Sequence, residues 1–596
     1  MTLGSNHLMT RNDLSRLASR AGLFLSTLFV LTASAFGSVR IGYNMGLPFQ
    51  FALDGSENSY TVASMTNLSG VSGLFVTKLS SAGKIVFSDR IGYGAAATPF
   101  AFFLDSAGDT YTISSLTALN GVAGLYVTKI NSSGAVTYTT RLGTAATSLP
   151  FAAGLDSSGN IHIVSNMTSL AGVSGLFSIK LNLSGSVQFS DRLGTSPATS
   201  PFVSMLDNSG SAYTLASMTA LSGVSGLYLT KVNSTGTTVY SDQLGTKPTA
   251  GTFGGAVDLS SNAFTIANAT SLNGVSGLYF VKTNATGTSV YSERLGYNPA
   301  GAPFWADVDA SDNAFTVSSL TSVGGVSGLY FSKLSSSGTL VYNGRLGYNA
   351  ATSPFAATLD SGENLCSVAN MTALNGVAGL YFSKLSATGS SLYSERIGSN
   401  PASAPFDARL DGSGNGYALA SMTGTNGEAG FYVTKLNSNG GVVYADRIGS
   451  NAVSAPFADV LDAAQNVYTV ANMTGLNSTS GLYFTKLNST GTVIYNFRLG
   501  ITPAASPFAY VVDGSGDAYS MVNMTNLSGV AGLYLNKTNP SGSLVYSERL
   551  GTNPATTAAY YVDASGNALS VVSMTATSGV TGLFVSKLNS SGGTVY

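Results

Sequence analysis

The sequence predicts an all-β repeat protein, because one pattern recurs along almost the whole chain. Three observations support this prediction: an Asp recurs about every 51 residues, as from Asp54 to Asp105, Gly-bearing turns separate short apolar and aromatic runs, and only 9% of the residues are charged. Short strands joined by tight turns at a fixed period are typical of the blades of a β-propeller. The Asp occurs in eleven copies, so eleven units are expected.

Each unit is predicted to contain four strands, and the unit near Pro507 illustrates them. The strands are expected at Phe508–Asp513, Ala518–Met524, Gly532–Lys537 and Leu544–Leu550. The segments between them carry Gly, which tolerates the positive φ of tight turns, and Asp or Asn, which can accept a hydrogen bond from nearby backbone. The pattern therefore predicts antiparallel strands that follow one another directly.

The two ends of the repeat array are predicted to meet. The last residue, Tyr596, falls in the middle of what is strand four in other units, and Ser38–Gly42 has the sequence of the missing half. Joining the halves would complete a blade and remove two open sheet edges. We therefore predict a single closed β-propeller of eleven four-stranded blades with terminal strand closure. The alternative is two smaller propellers in tandem.

The N-terminus has the features of a signal peptide. Arginines between positions 11 and 20 precede the uncharged run Ala21–Ala35, which ends in the small residues Ala33-Ser34-Ala35. A run this short is typical of a signal peptide, with a retained membrane anchor as the alternative. We predict a signal peptide over residues 1–35 and a propeller over residues 36–596, with no transmembrane span in the mature chain. The expected location is secreted or at the cell surface.

Composition argues against several classes of function. The formal net charge is −1 and no basic stripe is evident, so nucleic acid is not an expected partner. Outside the predicted signal peptide His162 is the only histidine, and Cys366 is the only cysteine. Both fall in a strand-two position that is Tyr or Phe in eight other copies, which indicates packing substitutions. We expect no catalytic residue, no metal site and no cofactor.

Three charged residues of the repeat have two interpretations each. The recurring Asp begins a D-x-S-G-N segment, which could be a calcium loop but lacks the acidic density of one, so a hairpin turn is favoured. The recurring Lys and Arg could form rings of ligand contacts. The favoured interpretation is that their stems cover apolar surface between blades while their charges reach water or a carboxylate.

The copies differ most on strand one, two to four residues before the recurring Asp. If strand one is the innermost strand, these side chains approach the central channel and could form a recognition surface. The candidate ligand-binding residues are Gln50, Phe102, Phe103, Trp305, Asp307, Asp407, Arg409, Asp459, Tyr510, Tyr560 and Tyr561. The alternative is relaxed packing around a wide channel.

Three motifs recur in order in the units: D-x-S-G-N-x-Y, Y-x-x-K-L-N-x-x-G and V-Y-S-x-R-L-G. Examples are Asp411–Asn415, Tyr432–Asn437 and Val545–Gly551. In these motifs the chain resembles the bacterial SBBP-type β-propeller repeats, and the resemblance covers the whole predicted mature chain. It implies a propeller in an exported or cell-surface bacterial protein. It implies no particular activity, because fold alone does not determine function.

The expected function is that of an exported bacterial scaffold without catalysis. We expect binding or adhesion at the cell surface, in the periplasm or outside the cell, with a protein or glycan ligand and a monomeric chain. The alternative is a carbohydrate-active hydrolase or lyase with its site at the propeller channel. Asp307, Asp407 and Asp459 are the candidate carboxylates for that chemistry, because glycosidases use a carboxylate pair.

Overall fold

Every regular element of the structure is a β-strand. The computed structural model describes residues 38–249 and 251–596, which form 43 strands in one antiparallel sheet. This confirms the all-β prediction. No helix in these ranges is long and apolar enough to cross a bilayer. The predicted signal peptide, residues 1–35, lies outside the described residues.

The strands follow the repeat, and units are numbered here in chain order from the unit of Asp54 to that of Asp563. The first strands are β1 (Ser38–Leu53), β5 (Phe100–Leu104), β9 (Phe151–Leu155), β13 (Phe202–Leu206), β17 (Phe253–Val257), β21 (Phe304–Val308), β25 (Phe355–Leu359), β29 (Phe406–Leu410), β33 (Phe457–Leu461), β37 (Phe508–Val512) and β41 (Ala558–Val562). The second strands are β2 (Ser59–Asn67), β6 (Thr110–Ala118), β10 (Ile161–Ser169), β14 (Ala212–Ala220), β18 (Ala263–Thr270), β22 (Ala314–Ser322), β26 (Leu365–Ala373), β30 (Gly416–Gly424), β34 (Val467–Gly475), β38 (Ala518–Asn526) and β42 (Ala568–Ala576).

The third strands are β3 (Ser72–Leu79), β7 (Ala123–Ile130), β11 (Ser174–Leu181), β15 (Ser225–Val232), β19 (Ser276–Thr283), β23 (Ser327–Leu334), β27 (Ala378–Leu385), β31 (Ala429–Leu436), β35 (Ser480–Leu487), β39 (Ala531–Thr538) and β43 (Thr581–Leu588). The fourth strands are β4 (Ile85–Tyr93), β8 (Val136–Thr144), β12 (Val187–Thr195), β16 (Thr238–Gly245), β20 (Ser289–Tyr297), β24 (Leu340–Tyr348), β28 (Ser391–Ser399), β32 (Val442–Ser450), β36 (Val493–Ile501) and β40 (Leu544–Thr552). The four strands predicted near Pro507 are β37 to β40, within two residues at each end.

Consecutive strands of a unit pair with each other along the chain. In the second unit β5 pairs with β6, β6 with β7 and β7 with β8, and the end of β8 pairs with the end of β10 in the next unit. First strands of successive units also lie against each other, as β13 and β17 do. This arrangement places strand one at the edge where successive units meet through their first strands, called the inner edge, and strand four at the opposite edge.

The two ends of the described chain pair with one another. β1 runs antiparallel to β43, with Ser38 opposite Ser586 and Val39 opposite Val585. Beyond β43 the chain forms an antiparallel bridge from Leu588 to Thr594. The start of β1 and the last residues therefore occupy the place beside strand three that strand four occupies in other units.

The apolar core lies between the units rather than inside them. In the described residues it divides into eleven clusters, and ten of them take side chains from two units that follow one another in the chain. Val62 and Leu74 of the first unit, for example, pack with Tyr126 of the second. Strands two and three are buried on both faces, which explains their nearly continuous runs of β-branched and aromatic residues. One of the eleven clusters joins Val571 of the last unit to Phe75 of the first.

A close approach of two strands requires the glycine that recurs as the second residue of strand three. At Gly328 an added Cβ would lie 2.5 Å from Cδ of Arg345 and 2.6 Å from the carbonyl oxygen of Gly347. We expect Gly328→Ala to lower the free energy of unfolding by about 1–3 kcal/mol, because a backbone atom must move. Urea denaturation measures this. Gly412→Ala is the matched control, since an added Cβ there meets nothing within 4 Å, and an equal loss in both variants would contradict the explanation.

Candidate functional site

The recurring Asp closes the turn between strands one and two. Oδ1 of Asp54 accepts hydrogen bonds from the backbone N–H groups of Ser56 and Asn58, both at 2.9 Å. Its Oδ2 accepts the Tyr60 hydroxyl at 3.0 Å. The same arrangement recurs at Asp105 with Tyr111. This confirms the hairpin-turn interpretation of the D-x-S-G-N segment.

The recurring Lys connects each unit to its surroundings from a buried position. The eleven lysines are only 5–9% exposed. The Nζ of Lys129 lies 4.7 Å from the ring centre of Tyr111 and 2.9 Å from Oδ2 of Asp109. The Nζ of Lys78 donates to the carbonyl oxygen of Ser132, in the next unit, at 3.0 Å. These contacts confirm that the lysines pack between units, with their charges paired or hydrogen-bonded.

His162 and Cys366 lie in the aromatic position that the repeat register assigns to them. His162 is buried and its Nε2 lies 3.1 Å from Oδ2 of Asp156, where other units place a Tyr hydroxyl. Burial lowers the pKa of His162, with Lys180 adding to this and Asp156 opposing it. Burial raises the pKa of the Cys366 thiol to about 12, which makes it a poor nucleophile at neutral pH.

Three of the predicted ligand-binding aromatics are core residues. Trp305 is 4% exposed and packs with Ala357 of the next unit. Tyr510 and Tyr560 are also buried, and Tyr510 packs with Ala458 of the preceding unit. These three side chains fit the packing alternative that the sequence left open. Each is accommodated by an alanine across the contact between units.

The other predicted residues of strand one are partly buried. Gln50, Phe102, Phe103, Asp307 and Tyr561 all have intermediate exposure. Phe102 and Phe103 lie on opposite faces of their strand. Phe102 packs in the cluster between the first and second units, and Phe103 packs in the cluster between the second and third units. The structure therefore does not gather these five into one site, and ligand binding by them stays a prediction.

The structure does bring together Asp407, Arg409 and Asp459, at the contact between the eighth and ninth units. The Nε of Arg409 lies 2.6 Å from Oδ2 of Asp407 and 2.9 Å from Oδ2 of Asp459. A further Arg409 nitrogen donates to the carbonyl oxygen of Asp459 at 3.0 Å. Asp407 and Arg409 share one face of β29, and that face meets the middle of β33.

The two carboxyls of this cluster differ in their exposure to water and in their electrostatic surroundings. The side chain of Asp459 is only 5% exposed, whereas those of Asp407 and Arg409 are each 26% exposed. Burial raises the pKa of Asp459 well above its usual range, and the nearby Asp407 adds to this while Arg409 opposes it. Asp459 therefore binds a proton more readily than a free carboxyl does. The arrangement can hold one proton and one positive charge at the inner edge of the units.

Replacing Asp459 tests this electrostatic account through pH. When folding raises the pKa of a carboxyl, the protonated form favours the folded state. This contribution to stability is complete below the pKa of the unfolded chain, and it is lost as pH rises through the pKa of the folded protein. We expect Asp459→Asn to have a higher free energy of unfolding than the wild type above pH ~4. The difference is expected to reach about 1.4 kcal/mol for each unit by which folding raises the pKa of Asp459, and to vanish below that pH. Urea unfolding across pH measures the difference.

Asp411→Asn is the control of opposite sign. Burial pushes the pKa of Asp411 upward, but hydrogen bonds from Asn415, Ser413 and Tyr417 outweigh burial and hold it below its usual value. We expect this variant to lose stability relative to the wild type as pH rises through the folded pKa of Asp411. A gain for both variants at neutral pH would contradict the assignment.

Exposed aliphatic residues recur at two places in the units, and neither was among the predicted sites. One is the start of strand four, as at Val86 and Leu392, and the other is the turn between strands two and three. The turn between strands two and three carries one or two aliphatic side chains in ten of the units, 40–67% exposed. These apolar turn residues are Leu68, Val71, Leu119, Val122, Leu170, Val173, Leu221, Val224, Leu272, Val275, Val323, Val326, Leu374, Val377, Leu476, Leu527, Val530 and Val580. The signal in the sequence was the recurring Leu-x-Gly-Val, since turns normally favour polar residues.

Charge is distributed unequally between the two ends of the units. The arginine end comprises the turns between strands two and three and the connections from strand four to the next strand one. The connections and turns there contain one carboxylate, Glu428, and one lysine, Lys247. The turns at the opposite, lysine end contain the eleven recurring Asp and five further carboxylates: Glu57, Asp109, Asp312, Glu363 and Asp517.

The recurring Arg brings positive charge to the arginine end. Arg141 donates from Nε to the carbonyl oxygen of Ala123, the first residue of strand three, at 3.1 Å. Gln243, in the unit that lacks the Arg, donates to the equivalent Ser225 at 3.0 Å. The ten arginines are half-buried and border the apolar turn residues. This end therefore combines exposed aliphatic side chains with guanidinium groups.

A carboxylate directly precedes six of the arginines on strand four, and the alternation of side chains along a strand places it on the opposite face from the arginine. Oδ2 of Asp446 lies against Gly491, in the turn between strands three and four of the next unit, where an added Cβ would meet it at 2.8 Å. Burial raises the pKa of Asp446, and that of Asp89, Asp191 and Asp242 in the same position. In the described residues no group of three or more His, Cys, Asp or Glu side chains has the arrangement of a metal site.

Comparison with known proteins finds no family. No protein-family model matches the chain, and no curated protein matches it. The resemblance to SBBP-type repeats therefore stays a prediction.

Solved structures share only a weak likeness with the chain. A eukaryotic initiation factor is 10% identical with a TM-score of 0.38, over 71% of this chain and 93% of that chain. An ulvan lyase, a polysaccharide lyase, is 12% identical with a TM-score of 0.25, over 66% and 92%. A puromycin hydrolase is 12% identical with a TM-score of 0.26, over 81% and 61%. Likeness at this level identifies neither a family nor an activity.

Proposed function

We propose that this protein is an exported bacterial scaffold that binds a component of the cell surface and has no catalytic role. The observation that carries the proposal is the set of apolar turn residues. Soluble monomers seldom leave aliphatic side chains exposed in a regular array, and such arrays mark interaction surfaces. The recurring Asp and Lys of the repeat are instead used in turns and in contacts between units.

A binding screen tests the proposed role. The mature chain, residues 36–596, is immobilised and exposed to bacterial surface proteins, surface glycans and lipid vesicles. We expect at least one class to bind the wild type and to bind a Leu221→Ser/Leu272→Ser/Leu527→Ser variant more weakly. Leu183→Ser/Leu259→Ser is the matched control, because these exposed leucines lie at the lysine end. Equal binding by all three proteins would contradict the proposal.

Export is the second part of the proposal and follows from the predicted signal peptide. A tagged full-length chain is expected outside the cytoplasm of a bacterial host, cut near Ala35. A variant lacking residues 1–35 is expected to stay in the cytoplasm. Cell fractionation and N-terminal sequencing measure both, and uncut cytoplasmic full-length chain would refute export.

We also propose that the eleven units form one closed, monomeric propeller. The eleven core clusters support this, because an open row of eleven units has only ten contacts between neighbours. The pairing of β1 with β43 supports it too. So does the 2.9 Å ion pair from Lys587 to Glu57, which repeats the contact of Lys333 with Glu363 one unit ahead.

Continuity of the contacts favours one ring over two smaller propellers. The recurring Lys reaches the turn of the following unit at many points along the chain, for example from Lys231 to Ala285 and from Lys435 to Ser489. Two rings in tandem would require these contacts to be interrupted at one point, where the last unit of the first ring contacts the first unit of that ring instead of the following unit. Light scattering is expected to give the mass of a single chain.

A carbohydrate-active enzyme is the second candidate, and the cluster of Asp407, Arg409 and Asp459 is the observation that favours it. Glycosidases use a pair of carboxyls that differ in proton affinity. If this candidate is correct, the protein releases reducing ends from a polysaccharide, and Asp407→Asn and Asp459→Asn each abolish the release. Unchanged release in both variants would exclude the cluster as a catalytic site.

A further inference from the structure

We infer that the arginine end is a membrane-docking surface: guanidinium groups contact anionic phospholipid headgroups while the apolar turn residues enter the boundary between headgroups and acyl chains. The inference rests on the proposed binding function and names its partner.

The apolar side chains are of the kind that lipid accepts. They are Leu and Val, and exposure reaches 67% at Leu272 and 63% at Leu221. Tyrosine hydroxyls lie beside the turn glycine in four units, at Tyr43, Tyr93, Tyr297 and Tyr348. Sugar rings are usually bound on open aromatic faces, and a guanidinium group covers one face of each of these tyrosines, 5.1–5.8 Å from the ring centre. Aliphatic side chains at projecting turns gain free energy when they leave water for the headgroup boundary.

The charge of this end selects an anionic surface. Ten arginines and Lys247 face only Glu428 in the turns and connections there. Strand four also has a carboxylate directly before six of these arginines, on the opposite face of the strand, and Oδ2 of Asp446 in that position lies against Gly491 at the lysine end. A guanidinium group can contact phosphate oxygens while it keeps its bond to a backbone carbonyl, because it has five N–H donors.

A second copy of the chain is a poorer occupant of this surface. Two arginine ends placed face to face would oppose arginine with arginine, and like charges in contact are unfavourable. A bilayer carries the complementary charge and is broad enough to meet many units together. Repetition then matters, because weak contacts from several units of one rigid scaffold add up to stable binding.

The chain provides its own template for removing the charge. In the fourth unit Gln243 takes the place of the Arg and keeps the hydrogen bond to strand three. A variant with Arg141, Arg396, Arg447 and Arg549 each replaced by Gln is therefore expected to fold while it loses four positive charges. Its unfolding midpoint is measured beside the wild type to check this.

Co-sedimentation of the mature chain with vesicles tests the inference. We expect the wild type to bind vesicles of phosphatidylcholine with phosphatidylglycerol at low salt, and phosphatidylcholine vesicles much more weakly. The four-fold Arg→Gln variant is expected to lose the preference for phosphatidylglycerol, with binding reduced by about tenfold or more. The Leu221→Ser/Leu272→Ser/Leu527→Ser variant is expected to lose about as much on the same vesicles.

The control and the contrary outcomes separate this inference from the proposed function. Leu183→Ser/Leu259→Ser, at the lysine end, is expected to bind vesicles like the wild type. Failure of the wild type to bind anionic vesicles, or equal loss in the control, would overturn the inference. Binding to an acidic polysaccharide such as alginate that weakens in the Leu→Ser variant, with no binding to anionic vesicles, would overturn it too, and would leave the proposed binding function intact.

Discussion

Removal of Ser38–Gly42 from a chain of residues 36–596 is expected to destabilise the whole protein and to cause aggregation. Val39 and Ile41 are 7% and 3% exposed and pack with Val585 of the last unit. Burial of two such side chains contributes about 3–6 kcal/mol, which the deletion removes. It also leaves β43 with an unpaired edge that can pair with another chain. Urea unfolding and size-exclusion chromatography measure the two effects.

An interior substitution separates the effect of the terminal contact from that of lost apolar surface. Ile41→Ala and Ile397→Ala remove the same group from the same position of strand four, and each is expected to cost about 2–5 kcal/mol. Only the deletion leaves a sheet edge exposed, so only the deletion is expected to aggregate. A monodisperse deletion variant with the unfolding midpoint of the wild type would contradict the role of β1.

Arg409→Met is expected to lower the free energy of unfolding by about 3–5 kcal/mol at neutral pH, because it leaves two close carboxyls without a cation. The side chain of Asp459 is 5% exposed, so water cannot replace the guanidinium there. The loss is expected to shrink at acid pH, where Asp459 is protonated. Urea unfolding at acid and neutral pH measures both.

The ninth-to-tenth contact supplies an apolar replacement for the cluster. It places Ala458 and Val460 against Tyr510, in the positions of Asp407, Arg409 and Asp459. The triple change Asp407→Ala/Arg409→Val/Asp459→Tyr is therefore expected to be about as stable as the wild type or more so. If Arg409→Met and the triple variant lose equally, the cost of the single change does not come from unpaired charge.

The strands were predictable because the same pattern of apolar runs and turns occurs in every unit of the sequence. Alternation and Gly-bearing turns gave the four strands near Pro507 within two residues, and the register assigned His162 and Cys366 to packing positions. A single unit would not have sufficed, since its short apolar runs fit several arrangements. Agreement among copies removed that ambiguity.

The strand-one residues were harder to interpret because their surroundings belong to another unit. Trp305 is buried since Ala357, one unit later, leaves room for it, and sequence order does not show that contact. The sequence identified Asp407, Arg409 and Asp459 as candidates. Their contact depends on how the first strand of the eighth unit packs against the first strand of the ninth, which the sequence does not show. The apolar turn residues were not predicted as a site, because the turn was interpreted from its glycine and the Leu and Val beside that glycine were not considered.

The proposal of a closed ring is tested most directly by electron microscopy of residues 36–596, viewed along the proposed propeller axis. Class averages are predicted to show one continuous ring of eleven blades around a hollow centre, with no gap where the first and last units meet. An open arc, a spiral or two smaller rings would contradict the account.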